Sequence, residues 1–149
     1  MKKFILLTAV LLCTAVSYGQ WEYKTVNNGF DPPYKVAYTA GKNYLKMELV
    51  DTLVSFYIVA GYTCDAYPTV DISFATPSGT HVYKVSGNTS SNNSIVFLVD
   101  NMAALPGFVD DFKAATSVRI RINESYCDTE IFEFKMTGST AAYNFMIKR

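Results

Sequence analysis

Few groups in this 149-residue chain are equipped for chemistry: it holds 1 histidine and 3 cysteines. Two of the cysteines sit in matching surroundings, Tyr62-Thr63-Cys64-Asp65 and Ser125-Tyr126-Cys127-Asp128. A pair of thiols can ligate zinc, supply a nucleophile or close a disulfide, and each use needs different neighbours. Zinc sites usually draw on cysteines with local C-x-x-C spacing. That spacing is missing here and His81 falls on a separate strand, so no metal is expected. A nucleophilic thiolate needs a base and a group that orients the base. His81 is the only histidine, and nothing in the sequence shows a partner for its ring. In an exported chain the simplest use of the pair is a Cys64–Cys127 disulfide.

The remaining polar constellations have plain structural readings. His81 shares a strand face with Tyr83 and Val85 and reads as an ordinary strand histidine; no G-x-S-x-G element accompanies it. Asp110 and Asp111 open a short helix, where carboxylates complement the helix dipole. As adjacent residues they do not face one another, which makes them a poor acid–base pair. Arg119 and Arg121 share one strand face, with Arg119 expected opposite Glu133 as a cross-strand charge pair. No catalytic residue and no cofactor is expected. Tyr62, Tyr67 and Tyr126 differ from the other tyrosines because they flank the cysteines beside Asp65 and Asp128. Loop aromatics with nearby polar groups make a contact surface for a protein or a glycan.

The elements that must position these groups follow a period of two. Trp21 to Val26 opens as a strand. Tyr34–Ala40 and Tyr44–Val50 follow across the turn Gly41-Lys42-Asn43, and Leu53–Val59 is apolar enough for a central strand. Val70, Ile72 and Phe74 alternate with Asp71 and Ser73, and Pro77-Ser78-Gly79 turns the chain into Thr80–Ser86. After a polar loop over Gly87–Asn93 come Ile95–Val99, Val118–Ile122 and Phe132–Met136. Phe108 and Phe112 lie one turn apart on a short helix, and Ser139 or Thr140 is placed to cap a final turn through Tyr143. The pattern predicts an all-β fold: a single antiparallel β-sandwich or small barrel of about nine strands with one or two short helices. If the inward-facing residues are paired in hairpins, 58 meets 70 and 56 meets 72, while 120 meets 132 and 118 meets 134. A one-residue slip would turn each apolar set outward. Both cysteines then fall at hairpin tips.

The N-terminus reads as a secretory signal over residues 1–19. Lys2 and Lys3 precede an apolar run, Phe4 to Leu12, and Ser17-Tyr18-Gly19 forms a small-x-small exit. That run is short of the roughly 20 residues a bilayer span requires. Cys13 would anchor a lipidated form, but Leu12 stands where that processing wants a small side chain. Residues 20–149 then form one exported domain, periplasmic or extracellular, with no transmembrane segment. Loss of Lys2 and Lys3 leaves 13 basic residues less two against 13 acidic ones, a net charge of −2. Lysine and arginine are scattered, so nucleic acid is not an expected partner.

Phe112-Lys113-Ala114-Ala115 leads into the strand bearing Arg119 and Arg121, and Phe132 and Phe134 precede Gly138-Ser139-Thr140-Ala141-Ala142. With Trp21 at the mature start, this order resembles small exported or phage-borne bacterial proteins of unknown function. It also faintly resembles the minor exported proteins associated with type VI secretion. The resemblance implies a β-sandwich-like domain and carries no catalytic residue across. The function expected is a non-enzymatic exported binding or accessory domain, its ligand an unknown protein or glycan met at the cysteine-linked tips. The alternative is a secreted or periplasmic inhibitor of a hydrolase such as lysozyme or a protease.

Overall fold

Residues 21–61 and 63–148 are described by the structure, a computed structural model of the chain. The signal segment, Cys13 and Tyr62 lie outside the described residues. Four strands come first: Trp21–Val26 (β1), Tyr34–Thr39 (β2), Tyr44–Val50 (β3) and Leu53–Val59 (β4). Thr69–Thr76 (β5), Gly79–Ser86 (β6), Asn88–Thr89 (β7) and Ile95–Val99 (β8) follow. A 3₁₀ turn at Met102–Ala104 leads to helix Phe108–Ala114 (α1), then Ser117–Asn123 (β9), Glu130–Lys135 (β10) and helix Ser139–Ile147 (α2). β7 lies within the segment expected to be loop, and brings the strands to ten. α2 runs a turn beyond the expected stop, and its N-cap is Gly138 in the left-handed region rather than a serine or threonine side chain.

The strands form two antiparallel sheets, a six-stranded one in the order β1-β2-β3-β4-β8-β7 and a four-stranded one in the order β10-β9-β5-β6. Each is amphipathic with a period of two, and the apolar faces meet. Leu45, Met47, Phe56 and Ile58 of the wider sheet are buried, as are Val70, Ile72, Phe74, Val118, Ile120 and Ile122 of the narrower. The hairpin expected between Leu53–Val59 and Val70–Phe74 does not form. β4 pairs with β3 and β8, while β5 pairs with β6 and β9. Two strands that face each other across a core share the same inward parity as two strands in one hairpin, so alternation alone cannot separate them. The other expected register is the one observed, with Phe132 opposite Ile120, Phe134 opposite Val118 and Arg119 opposite Glu133.

Six strands opposite four leave part of the wider sheet's inner face without a strand over it, and the helices fill that space. Phe112 of α1 packs edge-on to Trp21 at 5.5 Å, Phe56 at 5.7 Å and Phe74 at 6.3 Å between ring centroids. Phe108 meets Phe56, Phe74 and Tyr83 at 5.9, 5.2 and 5.0 Å. α2 covers β1 to β3, with Phe145 at 4.9 Å from Tyr23. The Lys35 ammonium donates to the carbonyls of Phe145, at 3.0 Å, and Lys148, which places positive charge at the negative end of the helix dipole. Gly107 (φ 76°) starts α1 in the left-handed region, where a Cβ would stand 3.1 Å from the Tyr83 hydroxyl.

Phe112 therefore joins both sheets to a helix too short to be stable alone. Replacing it with alanine is expected to lower the unfolding free energy by about 3–5 kcal/mol. Urea denaturation checks this against Ile131→Ala, a side chain 62% exposed on β10, whose effect should stay within about 0.5 kcal/mol.

Candidate functional site

Cys64 lies in the crossover from the six-stranded to the four-stranded sheet, and Cys127 lies at the tip of the β9–β10 hairpin. A disulfide joins them with their Cα atoms 6.1 Å apart, so the two regions share one end of the domain. Hydrogen bonds brace the junction. The Cys64 amide donates to Glu124 Oε2 at 3.0 Å, and the Ser125 amide donates to Asp65 Oδ2 at 2.5 Å. The crossover is also held to β7, through Thr89 Oγ1 to the Asp65 carbonyl at 2.7 Å and the Thr89 amide to the Ala66 carbonyl at 2.9 Å. A Glu124 oxygen lies with both sulfurs inside 4.8 Å. Because the sulfurs are bonded to each other, neither is a thiolate ligand. His81 is elsewhere.

The five expected contact residues separate into different roles. Tyr126 and Tyr67 project into solvent, 88% and 73% exposed. Tyr126 and the exposed Asp128 share an open hollow of about 710 Å³ with Glu124, Glu130 and the disulfide. Tyr67 stands on the crossover loop at the same end, outside that hollow. Asp65 is partly buried, and its carboxylate is engaged by the Ser125 amide, which makes it a brace between loops. Tyr62 lies outside the described residues.

Two carboxylates at this end escaped the sequence reading. Glu124 Oε1 and Glu130 Oε2 are buried without a hydrogen-bond partner among the described residues. Burial, and then the charge of Glu124, push the Glu130 carboxyl above its ordinary range. The signal was present in the β9–β10 register, which pairs Ile122 with Glu130 and so sets Glu124 at the mouth of the same hairpin.

A second constellation was also missed. Asp111 accepts from His81 Nδ1 at 2.6 Å and from the Tyr83 hydroxyl at 2.5 Å. Burial pushes the Asp111 carboxyl up, but the hydrogen bonds from Tyr83 and His81, with the electrostatic attraction of His81, outweigh it, and its pKa lies below the usual range. Burial and the same carboxylate push the Tyr83 hydroxyl up to about 12. An ionised carboxylate offers only acceptors, so the imidazole Nδ1 carries the proton. The arrangement orients the ring and ties α1 to β6. Asp110, its neighbour, is exposed and keeps the dipole role expected of both. On the outside of the four-stranded sheet, Arg119 pairs with Glu133 at 3.2 Å, while Arg121 takes the buried Asp71.

The class defined by these features is a two-sheet antiparallel sandwich with helices packed into its open side and a disulfide closing one end. Among solved structures, invasion associated protein B from Bartonella henselae is similar in overall fold, with a TM-score of 0.60 and 13% sequence identity over 88% of this chain and 94% of that one. No family model and no curated protein matches the chain.

Two measurements check the site's energetics. Cys64→Ala with Cys127→Ala frees a crosslink spanning 63 residues and should lower stability by up to about 4 kcal/mol in the chain-entropy model. Guanidinium denaturation without reductant reads this loss. For Glu130 the folded-state pKa is raised, so its ionisation opposes folding as pH rises. Glu130→Gln should raise the denaturation midpoint at pH 7, and the gain should vanish below the ordinary carboxyl value of 4.5.

Proposed function

We propose that the protein is an exported, non-enzymatic binding domain that engages a protein partner through its disulfide-closed end. The observation that carries this reading is the exposure of Tyr126 and Tyr67 on loops fixed by a covalent crosslink and backbone hydrogen bonds. Large aromatic side chains lose little conformational entropy on binding, and loops ordered in advance lose less still. Tyrosine is enriched among the residues that dominate interface energy. Both rings protrude, Tyr126 from the edge of the shallow hollow beside the disulfide, which suits insertion into a pocket of another protein. Asp128 and the Glu124–Glu130 pair favour a partner with a basic rim.

The disulfide supports an oxidising compartment, in keeping with the expected export signal. No helix among the described residues is long and apolar enough to cross a membrane.

A photo-crosslinking amino acid at position 126 or 67 should capture a specific protein in the producing cell's envelope or surroundings, while one at position 131 should not. With that partner purified, Tyr67→Ala combined with Tyr126→Ala should weaken binding by about tenfold or more. Unchanged affinity would remove this end of the molecule from the interaction.

A further inference from the structure

The six-stranded sheet has a second face. The residues that alternate with its core set point away from the four-stranded sheet, and the cross-strand register stacks them in rows. Tyr38 lies opposite Glu22 on one side and Lys46 on the other, and Lys46 in turn opposes Tyr57. No other layer covers this face among the described residues, yet Tyr57 is only 2% exposed and Val36 only 3%. Lys46 lies over the Tyr57 ring, and beside it a hollow of about 530 Å³, lined in part by Val36, runs across β1, β2 and β3. Its walls include the half-buried rings of Tyr34, Tyr38 and Tyr44, the last two meeting at 6.2 Å.

The charges of this face balance locally. The Lys46 ammonium lies 3.3 Å from Glu48 and 5.0 Å from the centre of the Tyr57 ring, and Glu48 also accepts the Tyr57 hydroxyl. Lys24 sits 5.6 Å over the Tyr38 ring, with Glu22 on the same strand face. Two ammonium groups, Lys24 and Lys46, are matched in number by two carboxylates, Glu22 and Glu48, and the Lys46–Glu48 ion pair neutralises one of them directly, so the face carries no net charge to attract an ion. Val26, Val36 and Ala40 line the hollow together with the tyrosine rings, and Glu22, Lys24 and Lys46 supply donors and acceptors. This surface matches a ligand that is apolar on its ring faces, rich in hydrogen-bonding groups at its edges, and uncharged.

We infer that the outer face of β1–β3 is a binding cleft for a neutral saccharide chain, whose C–H faces stack on Tyr34, Tyr38 and Tyr44 and whose hydroxyls meet Glu22, Lys24 and Lys46. The volume is that of a small-ligand pocket. The sheet supplies rigidity, because each ring stands on a strand hydrogen-bonded on both sides or packed against its neighbour. This cleft is separate from the disulfide end and does not depend on the role proposed there.

The test is titration of the purified, oxidised protein, carrying ring-labelled tyrosine, with cellohexaose, maltohexaose and chitohexaose, followed by NMR and calorimetry. A hyaluronan hexasaccharide provides the charged comparison. Binding of a neutral hexasaccharide should shift the Tyr38 and Tyr44 ring resonances, and Tyr38→Ala or Tyr44→Ala should weaken it about tenfold or more. Tyr67→Ala with Tyr126→Ala should leave it unchanged. Far-ultraviolet circular dichroism and the melting profile show whether each variant is folded, and Tyr44→Phe, which keeps the ring, should retain binding. No shift with any neutral sugar at millimolar concentration would overturn the inference. Preference for hyaluronan, or binding that survives both alanine variants, would do the same. A concentration-dependent dimer in sedimentation that Tyr38→Ala dissolves would assign the face to a second copy of the chain instead.

Discussion

The interior of this domain is governed by a mismatch in width between its two sheets. Protein interiors pack at the density of organic crystals, so apolar surface without a layer over it must be covered or the fold loses the contacts that hold it. Sheets of six and four strands cannot cover each other completely, and the inner side of β1 to β3 is left over. α1 and α2 fill that space. Phe112, with Trp21, Phe56 and Phe74 around it, is the point at which both sheets and α1 meet. The same constraint explains the hydrogen bonds from His81 and Tyr83 to Asp111, since a seven-residue helix needs tertiary partners to stay in place.

The disulfide acts on a different problem. The chain passes from one sheet to the other between β4 and β5, and such a crossover has no ladder of its own to order it. Bonding Cys64 to the β9–β10 tip gives the crossover a fixed neighbour, and the Glu124 and Asp65 carboxylates receive amides from the opposite side of the junction. Order at this end is set by covalent and polar contacts, with little apolar burial. Aromatic side chains can therefore remain in solvent on loops that do not collapse over them. Among the described residues one oxygen each of Glu124 and Glu130 has no hydrogen-bond partner, a desolvation cost that the crosslink offsets.

The β strands of the wider sheet carry two surfaces at once, one set of alternate residues building the core and the other set building the tyrosine-lined hollow. Any change of register would exchange the two. The outer rows are held by the cross-strand contacts of Lys46 with Tyr57 and Lys24 with Tyr38 and by the Lys46–Glu48 pair along β3, so the hollow has walls without a third layer. Its geometry depends on the twist of β1 to β3 and on the inner support that α2 gives them.

Local pattern determined a good deal of this protein by itself. Period-two alternation fixed most strands and the all-β class, and it set the β9–β10 register down to Arg119 opposite Glu133. It also marked Phe108 and Phe112 as one face of a short helix. The pairing of Cys64 with Cys127 was legible because the chain holds few cysteines and their surroundings match. Alternation records only whether a side chain faces the core, and that is why it mistook β4 and β5 for a hairpin when they lie in opposite sheets. The Cys64 loop came to the Cys127 tip by a crossover and not by the route parity suggested. The bonds of His81 and Tyr83 to Asp111 and the grip of Arg121 on Asp71 join residues far apart in sequence. Only the tertiary structure decided those contacts, because they depend on which strands become neighbours, and neighbours are chosen by the packing of whole sheets.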